Sequence, residues 1–173
     1  MTETTRKPIS RRTVAKGAAW SAPVILGGVA APAYAASGEI PQLSLGTACK
    51  APGNSCDPFR KGYVVPLTIY NPSAKDVWLY VPPTIATVGT SLNLQYGGYD
   101  DGSGTLNTGH IKVPAGGDVT VKLNATSSNS ADQVFTLSMT FDWGHTPNPA
   151  DDTEHDPITV STSIPGTPPD CCK

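Results

Sequence analysis

The chain has 173 residues, with 12 Lys and Arg against 14 Asp and Glu, a net charge of −2, and only 15% of its residues are charged. That length suits one domain with short flanking segments. The acidic balance speaks against nucleic acid as a partner, because affinity for a phosphate backbone rests on Lys and Arg.

The first segment is uneven in charge. Arg11 and Arg12 stand in Ser10-Arg11-Arg12-Thr13-Val14-Ala15-Lys16, and no charged residue follows from Gly17 to Gly38. A cationic stretch, an apolar cluster at Val24-Ile25-Leu26 and small residues at Ala33 and Ala35 follow the order of a signal peptide cleaved after Ala35. The arginine pair ahead of a weakly apolar, Gly- and Ala-rich stretch resembles twin-arginine leaders, although Val14-Ala15 stands where a bulkier apolar pair is usual. General secretion stays open as a route. A membrane anchor needs roughly 20 predominantly apolar residues, and Pro23, Pro32 and several glycines and serines dilute this stretch, so no permanent span is expected. Residues 1–35 carry five of the cations and one of the anions, which leaves 138 residues with seven cations against thirteen anions, a charge of −6. A chain of that length buries about 70% of its unfolded surface.

After residue 36, short runs of Val, Ile, Leu, Thr and Tyr alternate with polar residues and are punctuated by Gly, Pro, Asn, Asp and Ser, as in antiparallel sheets with one wet face. Strands are expected near 42–50, 62–71, 75–82, 90–96, 109–113, 118–124, 133–143 and 157–164. Odd-numbered residues should face the core in three of them: Tyr63, Val65, Leu67 and Ile69; Val119, Val121 and Leu123; Phe135, Leu137, Met139 and Phe141. In Val77-Trp78-Leu79-Tyr80-Val81 both faces should be partly covered, and Ile158, Val160 and Ile164 complete the set. No amphipathic helix is expected.

About seven to eight strands with a turn every 8 to 12 residues point to two packed antiparallel sheets with Greek-key connections. The stretches IKVPAGGDVTVKL and YVVPLTIYNPSAKDVWLYV resemble the middle and the B-to-C hairpin of bacterial immunoglobulin-like domains, and the leader resembles those of small secreted actinobacterial proteins. The resemblance implies an all-β immunoglobulin-like sandwich over 36–164, after a signal peptide at 1–35 and before a Pro-rich tail at 165–173. It implies an architecture and a compartment, not an activity.

Cys49 and Cys56 bracket a Pro-Gly-Asn turn, and Cys171 and Cys172 are adjacent near the end of the chain. In an exported chain an even count reads as a disulfide framework with three connectivities. Adjacent cysteines seldom bond each other, because the peptide between them must distort. Two arrangements remain. Cys49 can close a local loop with Cys56, worth roughly 2.5 kcal/mol, leaving the tail pair free or vicinal. Alternatively the tail folds back and Cys171 and Cys172 each take one of Cys49 and Cys56, closing long loops worth on the order of 4 to 5 kcal/mol. The second is expected, because it ties down a tail with no core of its own and lays it over an edge strand. A four-thiolate zinc site lacks the paired two-residue gaps typical of zinc.

The richest polar cluster is DWGHTPNPADDTEHD. Asp142, His145, Asp151, Asp152, Glu154, His155 and Asp156 fall in one loop, where oxygen ligands suit calcium and a His-carboxylate set suits a transition metal. Asp151, Asp152, His155 and His145 are the candidate ligands; a solvated acidic hairpin end is the simpler reading. YGGYDDGSGTLNTG reads as a long glycine turn, and Tyr96, Tyr99, Trp78 and Tyr80 as a sheet cover or a stacking surface. The elbows, zinc helices and phosphate loops of familiar enzymes are missing, and Asn124-Ala125-Thr126 reads as a chance sequon. The expectation is a secreted, non-enzymatic immunoglobulin-like module that needs no cofactor and binds a protein or glycan of the cell envelope, or forms part of that envelope. The competing expectation is an exported metal-binding or metal-dependent protein built on the 142–156 loop.

Overall fold

The computed structural model describes residues 39–53, 56–129 and 132–172. Arg11, Arg12, Ala33 and Ala35 lie outside the described residues. Apart from a 3-10 turn at Pro149–Asp151, the regular structure described is all strand: β1 (Gln42–Leu45), β2 (Cys49–Ala51), β3 (Gly62–Tyr70), β4 (Val77–Leu79), β5 (Thr84–Val88), β6 (Gln95–Asp100), β7 (Ile111–Val113), β8 (Asp118–Thr126), β9 (Phe135–Phe141), β10 (Trp143–Gly144) and β11 (Ile158–Ile164).

The first layer runs β1-β3-β8-β6, with β2 beside β3. Its centre is an unbroken antiparallel ladder from Gly62↔Thr126 to Tyr70↔Asp118. Because side chains alternate along a strand, this register sets Tyr63, Val65 and Leu67 opposite Ala125, Leu123 and Val121, all buried. The second layer is formed by the triplets β11-β9-β5 and β10-β4-β7. Only Asp142 separates β9 from β10, and the Tyr80 N–H donates to Asp142 O at 2.9 Å, so the triplets are successive lengths of one layer. The break at Val81-Pro82-Pro83 falls where proline has no N–H to give a ladder. Every strand pair is antiparallel.

The two layers close a β-sandwich over a common core. Phe135, Leu137, Met139, Phe141, Val77, Leu79, Val113 and Ile164 meet the inner face of the first layer, and the Tyr63 and Phe135 rings contact edge-on at 5.2 Å. Each fully buried side chain of this kind contributes about 1.5–3 kcal/mol. Outward residues of the second layer pair by hydroxyl contacts, Ser138 with Ser161 and Thr140 with Thr159, both at 2.8 Å.

Several expected boundaries move: the 133–143 run divides at Asp142 into β9 and β10, and the 75–82 run shortens to β4. The 42–50 run divides into β1 and β2 because the register on β3 shifts by one residue, from Leu45↔Leu67 to Cys49↔Val64, after Gly46 donates its N–H to Pro66 O at 2.8 Å. The strand expected at 90–96 is replaced by β5 and β6. Gly89 (φ +91°) turns the chain out of β5. Of the glycines read as a long turn, Gly97 and Gly98 instead form a bulged strand, with the register shifting between Tyr96 and Tyr99, while Gly102 and Gly104 stay in the turn at positive φ. A Cβ on Gly97 would collide with Thr126 Cγ2 of β8, so that strand is admitted only without a side chain there.

The four cysteines form Cys49–Cys171 and Cys56–Cys172, with Cα separations of 5.0 and 5.2 Å. The tail lies beside β2: the Lys50 N–H donates to Pro169 O at 2.7 Å and the Cys171 N–H to Lys50 O at 3.0 Å. A second, small core results on the outer side of β3, where Ala51, Cys56 and Val64 are buried against Cys49, Phe59 and Cys171. The two bonds do not contribute equally to chain entropy. Either one alone closes a loop of over 110 residues, worth about 5 kcal/mol, but the second then closes a ring of only about ten residues, worth about 3 kcal/mol. Replacing Cys56 and Cys172 with Ser should therefore lower the melting temperature by on the order of 10 °C, and reduction of the native protein should lower it further. Calorimetry of the two forms checks this order.

Candidate functional site

The 142–156 segment is built on β10, which sets Trp143 and Gly144 against Leu79 and Trp78 of β4. Asn148 caps the 3-10 turn, its side-chain oxygen accepting the Ala150 N–H at 3.2 Å and its amide donating to Asp151 Oδ2 at 3.0 Å. The chain then returns so that Asp152 fastens the loop. Its Oδ2 accepts the His145 N–H at 2.7 Å, and its Oδ1 lies 3.1 Å from His155 Nε2. The His155 ring stacks on Trp143 with centroids 4.0 Å apart, and the His145 ring stands edge-on to both, at 5.3 and 5.7 Å. Trp143 Nε1–H donates to Asp156 O at 3.0 Å. Gly144 is required here, since a Cβ would meet the Tyr80 hydroxyl and the Asp152 carboxylate.

Of the four candidate ligands, the fold brings His145, Asp152 and His155 together and turns Asp151 away to Asn148. Asp142, Glu154 and Asp156 are exposed. His145 Nδ1 lies 3.0 Å from Asp76 O. A carbonyl only accepts, so that nitrogen carries the proton. His145 Nε2 is then a buried acceptor without a partner. Among the described residues no three His, Cys, Asp or Glu side chains converge in a way that would hold a metal ion. A hard cation seeks six to eight oxygens, whereas both Asp152 oxygens already hold the loop.

The second acidic loop uses its carboxylates in the same local way. Asp100 Oδ1 accepts the N–H groups of Gly102 and Gly104, and Asp101 Oδ1 that of Ser103, at 2.9–3.1 Å. The four aromatics do not form an open stacking surface. Tyr80 and Tyr99 are buried, Tyr96 is half-buried with its hydroxyl unpartnered, and Trp78 lies under Lys112 Nζ at 5.7 Å. Asn124 of the sequon is fully buried.

Sequence reasoning passed over a different feature. Two surface recesses flank Arg60, one of about 470 Å3 that includes Phe59, and one of about 580 Å3 that includes Lys61. Two adjacent cations carry no motif, and the recess walls come from segments more than thirty residues apart. Compared with known protein families and with curated proteins, the chain shows a match to neither.

The Asp152 geometry has a consequence for acid stability. The His145 N–H, joined by the neighbouring His155, holds the Asp152 carboxyl below its ordinary range against the opposing effect of burial. A lowered folded-state pKa stabilises above the unfolded value, near 4, and that stability is lost as pH falls through the folded value. Asp152→Asn should cost about 1 kcal/mol at pH 7, and the difference from the native protein should shrink as the pH falls from the unfolded value, near 4, through the lowered folded one. Urea midpoints followed over that fall, read from Trp fluorescence, test this.

Proposed function

We propose that this chain is a secreted, non-enzymatic immunoglobulin-like module that acts outside the cytoplasmic membrane, by binding an envelope protein or glycan or as part of the envelope structure. The observation that carries this reading is the pair of disulfides joining the tail to Cys49 and Cys56. Bonds of this kind form and persist where thiols oxidise. The signal-like order of Arg11, Arg12, Ala33 and Ala35 points the same way. Among the described residues, no helix is long and apolar enough to cross a membrane. The histidines hold architecture: His110 accepts the Val81 N–H, His145 donates to Asp76 O, and His155 rests on Asp152.

Export is tested by replacing Arg11 and Arg12 with Lys, which keeps the charge and removes the guanidinium geometry. Mature protein beginning at Ala36 in the medium or envelope fraction, lost in this variant, is the expected result. Unchanged export would overturn the twin-arginine route, and retention of the unprocessed native chain in the cytoplasm would overturn secretion.

Binding is tested by sedimenting the oxidised protein with washed cell envelopes; saturable retention is expected. A stoichiometric metal in the purified protein, lost when Asp152 and His155 become Ala, would instead favour the metal-dependent alternative, whose footing is the unpartnered His145 Nε2.

A further inference from the structure

The residues around Arg60 are held more firmly than an exposed loop requires. Asn124, fully buried on β8, clamps the main chain of Arg60 from both sides: its Oδ1 accepts the Arg60 N–H at 2.8 Å and its Nδ2 donates to Arg60 O at 3.1 Å. The Ser127 N–H donates to Lys61 O at 3.0 Å. Gly62, at φ +144°, lets the chain turn down onto β8, where a Cβ would overlap Ala125 O. The root of the loop is tied as well, since Cys56 is bonded to Cys172 and the Phe59 N–H donates to Cys56 O. A buried amide must find partners for all its polar groups, and here those partners include both main-chain groups of the only arginine after residue 36.

The side chains so placed are unpaired cations in an acidic domain. Lys50 and Lys112 are engaged by Asp132 and Asp76 at 2.9 and 2.7 Å. Among the described residues, no carboxylate lies within ion-pairing distance of Arg60 or Lys61, and both are exposed. They border the recess of about 580 Å3, whose other walls are Asn93, Gln95, Thr126, Ser127 and Ser128, with no carboxylate in the lining. Its floor is firm, because Gln95 pairs with Thr126 across the β6–β8 ladder. The volume falls within the range of small-molecule sites. Amides and hydroxyls that both donate and accept match the hydroxyls of a sugar, while a guanidinium beside an ammonium matches one carboxylate or phosphate. Two cations are too few to neutralise a nucleic-acid backbone. On the far side of Arg60 the smaller recess is lined by Asp57 as well as Phe59, so the acidic group is expected on the Lys61 side.

We propose that this recess is a binding site for an anionic carbohydrate, with Arg60 and Lys61 taking the acidic group and the Asn93, Gln95, Thr126 and Ser127 wall taking the hydroxyls. This rests on the reading of the chain as an extracellular binding module and names the ligand class for it. The test is calorimetric titration of the oxidised, secreted protein with trigalacturonic acid and, as its uncharged counterpart, galactotriose. Trigalacturonic acid should bind at low salt, at least about tenfold more tightly than galactotriose, and more weakly as salt rises. Arg60→Gln and Lys61→Gln should each weaken binding roughly tenfold, as loss of a charge-assisted contact does. Both sites are exposed, so melting temperatures should stay within about 1 °C of the native value.

No binding of trigalacturonic acid, equal binding of the neutral trisaccharide, or unchanged affinity in both variants would overturn the assignment. So would displacement of the trisaccharide by an equal concentration of inorganic phosphate, which would mark a plain anion site. The double variant also separates this inference from the reading beneath it. If it still sediments with envelopes as the native protein does, the recess is not the binding site while the envelope-binding reading stands; if the native protein does not sediment at all, that reading fails.

Discussion

The nine-residue ladder between β3 and β8 is the constraint on which the other parts of this molecule depend. Its register decides which alternate residues enter the core, and it places Tyr63, Val65 and Leu67 against Ala125, Leu123 and Val121. A slip of one residue would turn every one of these side chains to the other face. The ladder also sets what lies at its ends. At one end, Gly62 opposite Thr126 brings Asn124 under the Arg60 loop. At the other, Asn71 is buried where the chain turns, its Nδ2 donating to the carbonyls of Lys75, Val113 and Pro114.

The first layer leaves an edge beside β3 that β1 and β2 cover only in short lengths. Unpaired edges invite association with other chains. Here the tail fills the gap beside β2, and the two disulfides hold it there although it has little apolar surface of its own. The same bonds give the outer face of β3 something to bury: Val64 would otherwise be an exposed valine on the wet side of the sheet. One covalent device thus protects an edge, completes a second core and roots the loop that carries Arg60.

The residues richest in chemistry and the residues best placed for binding turn out to be different sets. The His and Asp cluster at 142–156 is drawn inward, with Asp152 joining two points of its loop and His155 flat on Trp143. Such a carboxylate contributes by satisfying donors that the loop would otherwise leave unpaired. Arg60 and Lys61 are the reverse case. Their main chain is clamped while their charged ends remain in solvent beside a polar recess. Rigid backbone with free functional groups lowers the ordering cost of binding.

The sequence by itself determined the fold class, the inward parity of β3, β8 and β9, and the compartment-dependent expectation that Cys171 and Cys172 join Cys49 and Cys56. These are properties of local alternation and of loop entropy, and both are written in residue order. It did not determine which tail cysteine takes which partner, because the two pairings differ by one position and are separated only by how the tail lies on β2. Nor did it show that Gly97 and Gly98 belong to a strand: Gly97 is there because Thr126 approaches closely across the ladder, and Gly98 because the bulge needs a positive φ beside Asn107 O. Asp151 and Asp152 are neighbours in sequence with the same chemistry, yet only Asp152 meets His145 and His155. That choice follows from where the 3-10 turn ends. The recess at Arg60 was decided wholly by tertiary structure: its walls come from residues 60–61, 93–95 and 126–128, and a site assembled by packing across a sheet has no spacing along the chain.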